Sequence, residues 1–72
     1  MKKTYKLQNL ECAHCAAKME TAINKMADVD ACTISFMTQK MTIETAEDKL
    51  DAVLDEAQKA IKKIERNCKI IR

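Results

Sequence analysis

Apolar positions along this chain follow two periods in turn. In "TYKLQ" they alternate with polar ones, Tyr5 and Leu7 on one side, which is the signature of a strand. Beyond the first cysteines the period lengthens: Cys15, Met19, Ala22, Ile23 and Met26 recur at helical spacing while Lys18, Glu20 and Lys25 point elsewhere. The spacing predicts an amphipathic helix with its first turn at or just after Cys15. Alternation returns in "ACTISF", with Cys32, Ile34 and Phe36 on one face, and in "KMTIET", with Met41 and Ile43, and the short "MTQ" between them predicts a hairpin. "AEDKLDAVLDEAQKAIKKIE" then aligns Leu50, Val53, Leu54, Ala57, Ile61 and Ile64 in one stripe, acids early and lysines late, as the helix dipole favours. "CKIIR" closes as a short strand.

Strand, helix, strand, strand, helix, strand is two β-α-β halves in one small domain. This predicts an α+β, ferredoxin-like fold, βαββαβ, with a four-stranded antiparallel sheet and two helices on one face. In the usual strand order, 4-1-3-2, three connections meet at one edge: the cysteine loop, the hairpin at Met37 to Gln39, and the loop at Arg66 to Cys68. Cys32 is expected at the start of the second strand, near the opposite edge.

Composition narrows the picture. At 72 residues the chain is one domain whose core is only marginally large enough, and with one Tyr, one Phe and no Trp that core must be aliphatic. Glycine and proline are absent, so Asn, Asp, Gln and Thr have to make the turns. A net charge of +2 with both signs interspersed offers no stripe for nucleic acid. An RNA-binding sheet of this fold would also need more aromatic residues for stacking. No apolar run reaches bilayer length, and "MKKTYKLQNL" lacks the apolar core of a signal peptide, so the expected location is cytoplasmic.

In a reducing compartment four cysteines are not expected to form a disulfide framework, and the Cys12-x-x-Cys15 spacing points to metal or redox chemistry. The thiolate is the reactive form, and Cys15 at the start of a helix sits in a field that favours it, with Cys12 free to converge on the same point. Two thiolates grip a soft ion; Cu(I) is content with two, whereas Zn(II) usually takes four ligands. Thiol oxidoreductase is the alternative of another class. A thioredoxin-like sheet is larger than this chain supplies, and its active site is backed by a cis-proline that a proline-free chain does not have.

"LECAHCAAKME", Val29 and the strand pair "ACTISFMTQKMTIE" resemble the heavy-metal-associated domain of soluble copper chaperones and of the N-termini of metal-transporting P-type ATPases. The resemblance implies that Cys12 and Cys15 are the metal ligands, that the domain has no catalysis of its own, and that its partner is an ATPase core or another metal-binding domain. Where the family commonly reads Gly-Met-x-Cys-x-x-Cys, this chain has Asn9, Leu10 and Glu11. An acid before the first cysteine resembles the zinc, cadmium and lead branch of these ATPases, and a carboxylate oxygen suits Zn(II) or Cd(II) better than Cu(I). Glu11 is thus a candidate ligand, and a copper(I) chaperone or copper-ATPase domain is the alternative. Where many copper-binding members have Gly and an aromatic before the last strand, this chain has Asn67, expected to make a left-handed turn, and Cys68, a candidate third thiolate on the same edge. His14 is expected to be exposed and Cys32 to be a buried thiol. Met19, Met26 and Met41 are expected to fill the core, and Met37 can at most shield the site.

Overall fold

The computed structural model describes residues 1–72. Its elements are β1 (Lys2–Gln8), α1 (Ala13–Asn24), β2 (Val29–Ser35), β3 (Lys40–Thr45), a single 3-10 turn (Glu47–Lys49), α2 (Leu50–Ile64) and β4 (Lys69–Ile71). The four strands form one sheet in the order β2-β3-β1-β4, every neighbouring pair antiparallel. This is the ferredoxin-like order expected from the periodicity, read from the other edge.

Register follows the alternation. Tyr5 faces Met41, Leu7 faces Ile70, and Cys32 and Ile34 face Ile43 and Met41, so one side of the sheet is aliphatic. Met19 and Ile23 of α1 and Val53, Leu54, Ala57 and Ile61 of α2 close over it. Met19, Ile23, Met41, Ile43 and Ile61 are completely enclosed. Burial of such a side chain contributes roughly 1.5–3 kcal/mol, and with no tryptophan available these residues carry the fold.

Three boundaries differ from expectation. Helix α1 begins at Ala13 rather than at Cys15, because the Cys12 sulfur itself serves as the N-cap acceptor. The second helix takes its first turn, Glu47–Lys49, as 3-10 and becomes α-helical at Leu50; no side chain caps that start. Strand β2 begins at Val29, which puts Cys32 in mid-strand rather than at its start.

Both outer strands have their free backbone groups covered from the helices. The Asn24 carboxamide of α1 accepts from the Cys32 N–H (2.8 Å) and donates to the Cys32 carbonyl (2.9 Å), and Glu20 Oε2 accepts from the Ile34 N–H (2.8 Å). On the far edge, the Gln58 carboxamide of α2 accepts from the Ile70 N–H (2.8 Å) and donates to the Cys68 carbonyl (3.1 Å). Side chains thus complete the ladder where a further strand would otherwise add.

Candidate metal centre

The Cys12 backbone is extended (φ −133°, ψ 116°) and its carbonyl accepts from Ala16 N–H at 3.0 Å, while its sulfur accepts from Cys15 N–H at 3.1 Å. A thiol therefore stands where Ser or Asp usually caps a helix and meets one of the four unpaired N–H groups of the first turn. The consequence is unequal thiols. Hydrogen bonds from the Cys15 thiol and then from the Cys15 amide hold the Cys12 thiol below its ordinary value. Cys15 is pushed up, first by its hydrogen bond to Cys12, then by desolvation and by the negative charges of Cys12 and Glu65. The helix start thus favours a thiolate on Cys12 and not, as its position suggested, on Cys15. Both residues are half-buried and neither is in a disulfide.

The loop that presents them is held on both sides. Asn9 has φ 64°, the left-handed region, and its carboxamide donates to the Asn67 carbonyl at 3.2 Å. Asn9 stands in the place of the family's Gly, and Asn is among the few other residues that tolerate that conformation. The left-handed turn expected at Asn67 is not there: Asn9 and Gln39 are the two residues with positive φ. The 65–68 turn closes instead by the Cys68 N–H donating to the Glu65 carbonyl at 3.1 Å. From the hairpin, Gln39 bonds to Leu7 and Leu10, so all three connections expected at this edge do meet there.

The ligand candidates are not equally placed. Cys12 and Cys15 come together; Glu11 is exposed beside them, and His14 is also exposed, as expected. Cys68 lies in the core with no exposed surface, and burial, followed by the charge of Glu65, pushes its thiol up to about 11. Cys32 is likewise buried, its thiol pushed up to about 12 by burial and then by Glu20. Met19 and Met41 are buried and Met26 packs against the core, whereas Met37 is 89 % exposed at the hairpin tip. No three His, Cys, Asp or Glu side chains converge on one point, so the preformed element is the thiol pair.

One acid at this edge escaped the sequence reading. Glu65 ends α2, its N–H donating to the Ile61 carbonyl, and its charge raises Cys12, Cys15 and Cys68 alike. Its Oε2 is buried without a hydrogen-bond partner. A carboxylate at a helix C-terminus with an unpaired buried oxygen is doubly unfavourable, and such a group calls for an explanation. Its adjacency to the Arg66 to Cys68 loop was the signal available in the sequence.

The sequence profile of the heavy-metal-associated domain matches residues 4–68. The chain belongs to the heavy-metal-associated domain family. Metal binding is accordingly its coarse function. This domain resembles three solved structures among others. The CopZ metallochaperone is 14% identical, with a TM-score of 0.73 over 99% of this chain and 100% of that one. The Cu(I)-loaded N-terminal domain of a potential copper-translocating P-type ATPase from Bacillus subtilis is 23% identical, with a TM-score of 0.74 over 96% and 84%. The apo N-terminal domain of ZntA is 22% identical, with a TM-score of 0.72 over 99% and 92%. At these identities what is shared is the fold. No protein of curated function matches the chain at a significant level. No helix of this heavy-metal-associated domain is long and apolar enough to cross a membrane.

Proposed function

We propose that this domain binds a soft divalent ion, Zn(II), Cd(II) or Pb(II), on Cys12 and Cys15 with a carboxylate oxygen as a further donor, and passes it on by ligand exchange. Its setting is the cytoplasmic N-terminus of a heavy-metal-translocating P-type ATPase. The observation that carries this reading is Glu65: a carboxylate with an unpaired buried oxygen, close enough to both thiols to be felt electrostatically. Two thiolates neutralise a divalent ion and a third anionic oxygen remains tolerable. On Cu(I) the same three donors leave two excess negative charges in a partly desolvated place, which is costly. Glu11, exposed and next to Cys12, is the second carboxylate within chain reach. Cys68 serves as a ligand only if its buried, protonated thiol ionises and turns outward.

Copper(I) is the second reading. The observation that favours it is the absence of a preformed group of three donors, since a thiol pair is sufficient for Cu(I). The reduced domain, titrated with Cd(II), Zn(II) and Cu(I), separates the two. Glu65→Gln is expected to weaken Cd(II) at least about ten-fold and to leave Cu(I) within about two-fold, with Glu11→Ala and Cys68→Ser as parallel arms. If none of the three substitutions weakens divalent binding relative to Cu(I), the copper reading replaces this one.

A further inference from the structure

The hairpin residue Gln39 makes more bonds to the cysteine loop than to its own hairpin. Its carbonyl accepts from the Leu7 N–H (2.7 Å) at the end of β1. Its side-chain Oε1 accepts from the Leu10 N–H (3.2 Å), and its Nε2 donates to the Leu10 carbonyl and, at 3.4 Å, to the Phe36 carbonyl. One carboxamide therefore grips both backbone groups of Leu10, two positions before Cys12. It does so from a left-handed backbone (φ 58°), a conformation that disfavours any side chain but glycine and to a lesser degree Asn or Asp. A glutamine kept at such a place carries backbone strain, and all but one of its bonds, that to Phe36, run toward the metal loop and its approach.

We propose that Gln39 is a positioning residue for metal binding. Leu10 is almost wholly buried and acts as an anchor, Gln39 fixes the orientation of the peptide groups on either side of it, and Asn9 ties the preceding turn to Asn67. Between this clamp and Cys12 only Glu11 intervenes, so Gln39 fixes the backbone that delivers Cys12 to the helix start, where its sulfur accepts from the Cys15 N–H. With the clamp released, Cys12 samples orientations that do not converge with Cys15, and a bound ion escapes sooner. This inference rests on the metal role of Cys12 and Cys15 and assigns that role's precision to a residue that touches no ion.

Gln39→Gly removes the carboxamide while keeping the left-handed turn, so the fold is retained. Asn24→Ala removes a similar two-bond clamp at mid-β2, within the same sheet but outside the metal loop. We expect Gln39→Gly to speed release of Cd(II) to a competing chelator about ten-fold, equivalent to about 1.4 kcal/mol. Asn24→Ala should leave that rate within about two-fold even where it lowers the urea midpoint more. In the metal-free reduced domain, the Leu10 amide should exchange with solvent faster in Gln39→Gly and unchanged in Asn24→Ala. Equal release rates in the two variants overturn the proposal. If the wild-type domain binds no Cd(II), Zn(II) or Cu(I), the metal reading fails by itself, and an unchanged Leu10 exchange rate in Gln39→Gly then overturns the clamp independently.

Discussion

Cys12 stands at the mouth of a helix with its sulfur taking up the Cys15 amide, whereas Cys32 stands in mid-strand with its backbone held by Asn24 and its sulfur enclosed by the core. Cys68, just before β4 on the other edge, is enclosed in the same way, with Gln58 holding its carbonyl and the Ile70 N–H. The same side chain is thus drawn toward its thiolate in one environment and held firmly as a thiol in the others, up to about 12 for Cys32 and about 11 for Cys68. What separates them is the choice between donors and carbon as neighbours. An unpaired N–H of a helix start stabilises the anion, and aliphatic surroundings penalise it.

The contrast is broken most severely at the exposed pair. Cys12→Ser or Cys15→Ser should weaken ion binding by at least about 100-fold, or about 2.7 kcal/mol, in a Cd(II) titration followed by thiolate absorption. Cys32→Ser should leave that binding within about two-fold, and an equal loss would put Cys32 in the same class as the pair. Next come the clamps of the buried pair. Asn24→Ala and Gln58→Ala strand backbone groups at Cys32 and at Cys68 and Ile70, and each should cost about 1–3 kcal/mol in urea unfolding. Values near zero would mean that water replaces the carboxamides.

A smaller effect sharpens the comparison by pH. A buried thiol that stays protonated in the native state, but ionises near 9.0 once unfolded, gives the unfolded chain fewer bound protons above that pH. Stability should therefore be level below about pH 9 and fall as pH rises toward 11 and 12, by at most about 1.4 kcal/mol per pH unit for each such thiol. Cys32→Ala should remove its share of that slope in denaturant titrations between pH 8 and about 10.5. The least effect belongs to surface ion pairs. Lys49 with Asp28 (3.2 Å) and Arg72 with Asp55 (2.8 Å) are largely exposed, and Lys49→Ala should change stability by less than about 1 kcal/mol.

Period alone located every strand and both helices, because this aliphatic chain has almost nothing but alternation and helical stripes from which to build a core. The strand order then brought the three loops to one edge. Harder to foresee were features in which a side chain acts on backbone. A cysteine can cap a helix, which advanced α1 by two residues, yet sulfur is not among the usual capping atoms. In a chain without glycine, two of several Asn and Gln residues had to take left-handed backbone; Asn67 looked eligible, but Asn9 and Gln39 hold those places. Glu65 was hidden by its neighbours, since at the end of an apolar stripe it reads as one more solvated helix acid. Its nearness to Cys68 is legible in the chain, but only folding brings it near Cys12 and Cys15 as well.

Four tethers around the cysteine loop and along the sheet edges, Asn9, Asn24, Gln39 and Gln58, end in carboxamides, and the Glu20 carboxylate at Ile34 stands beside them. Carboxamides neither gain nor lose a proton in the physiological range. On the proposed function, acid that returns protons to the Cys12 and Cys15 thiolates would release the ion while leaving these carboxamide fastenings untouched. On that reading the ion would leave and return without a change in the protonation of these tethers.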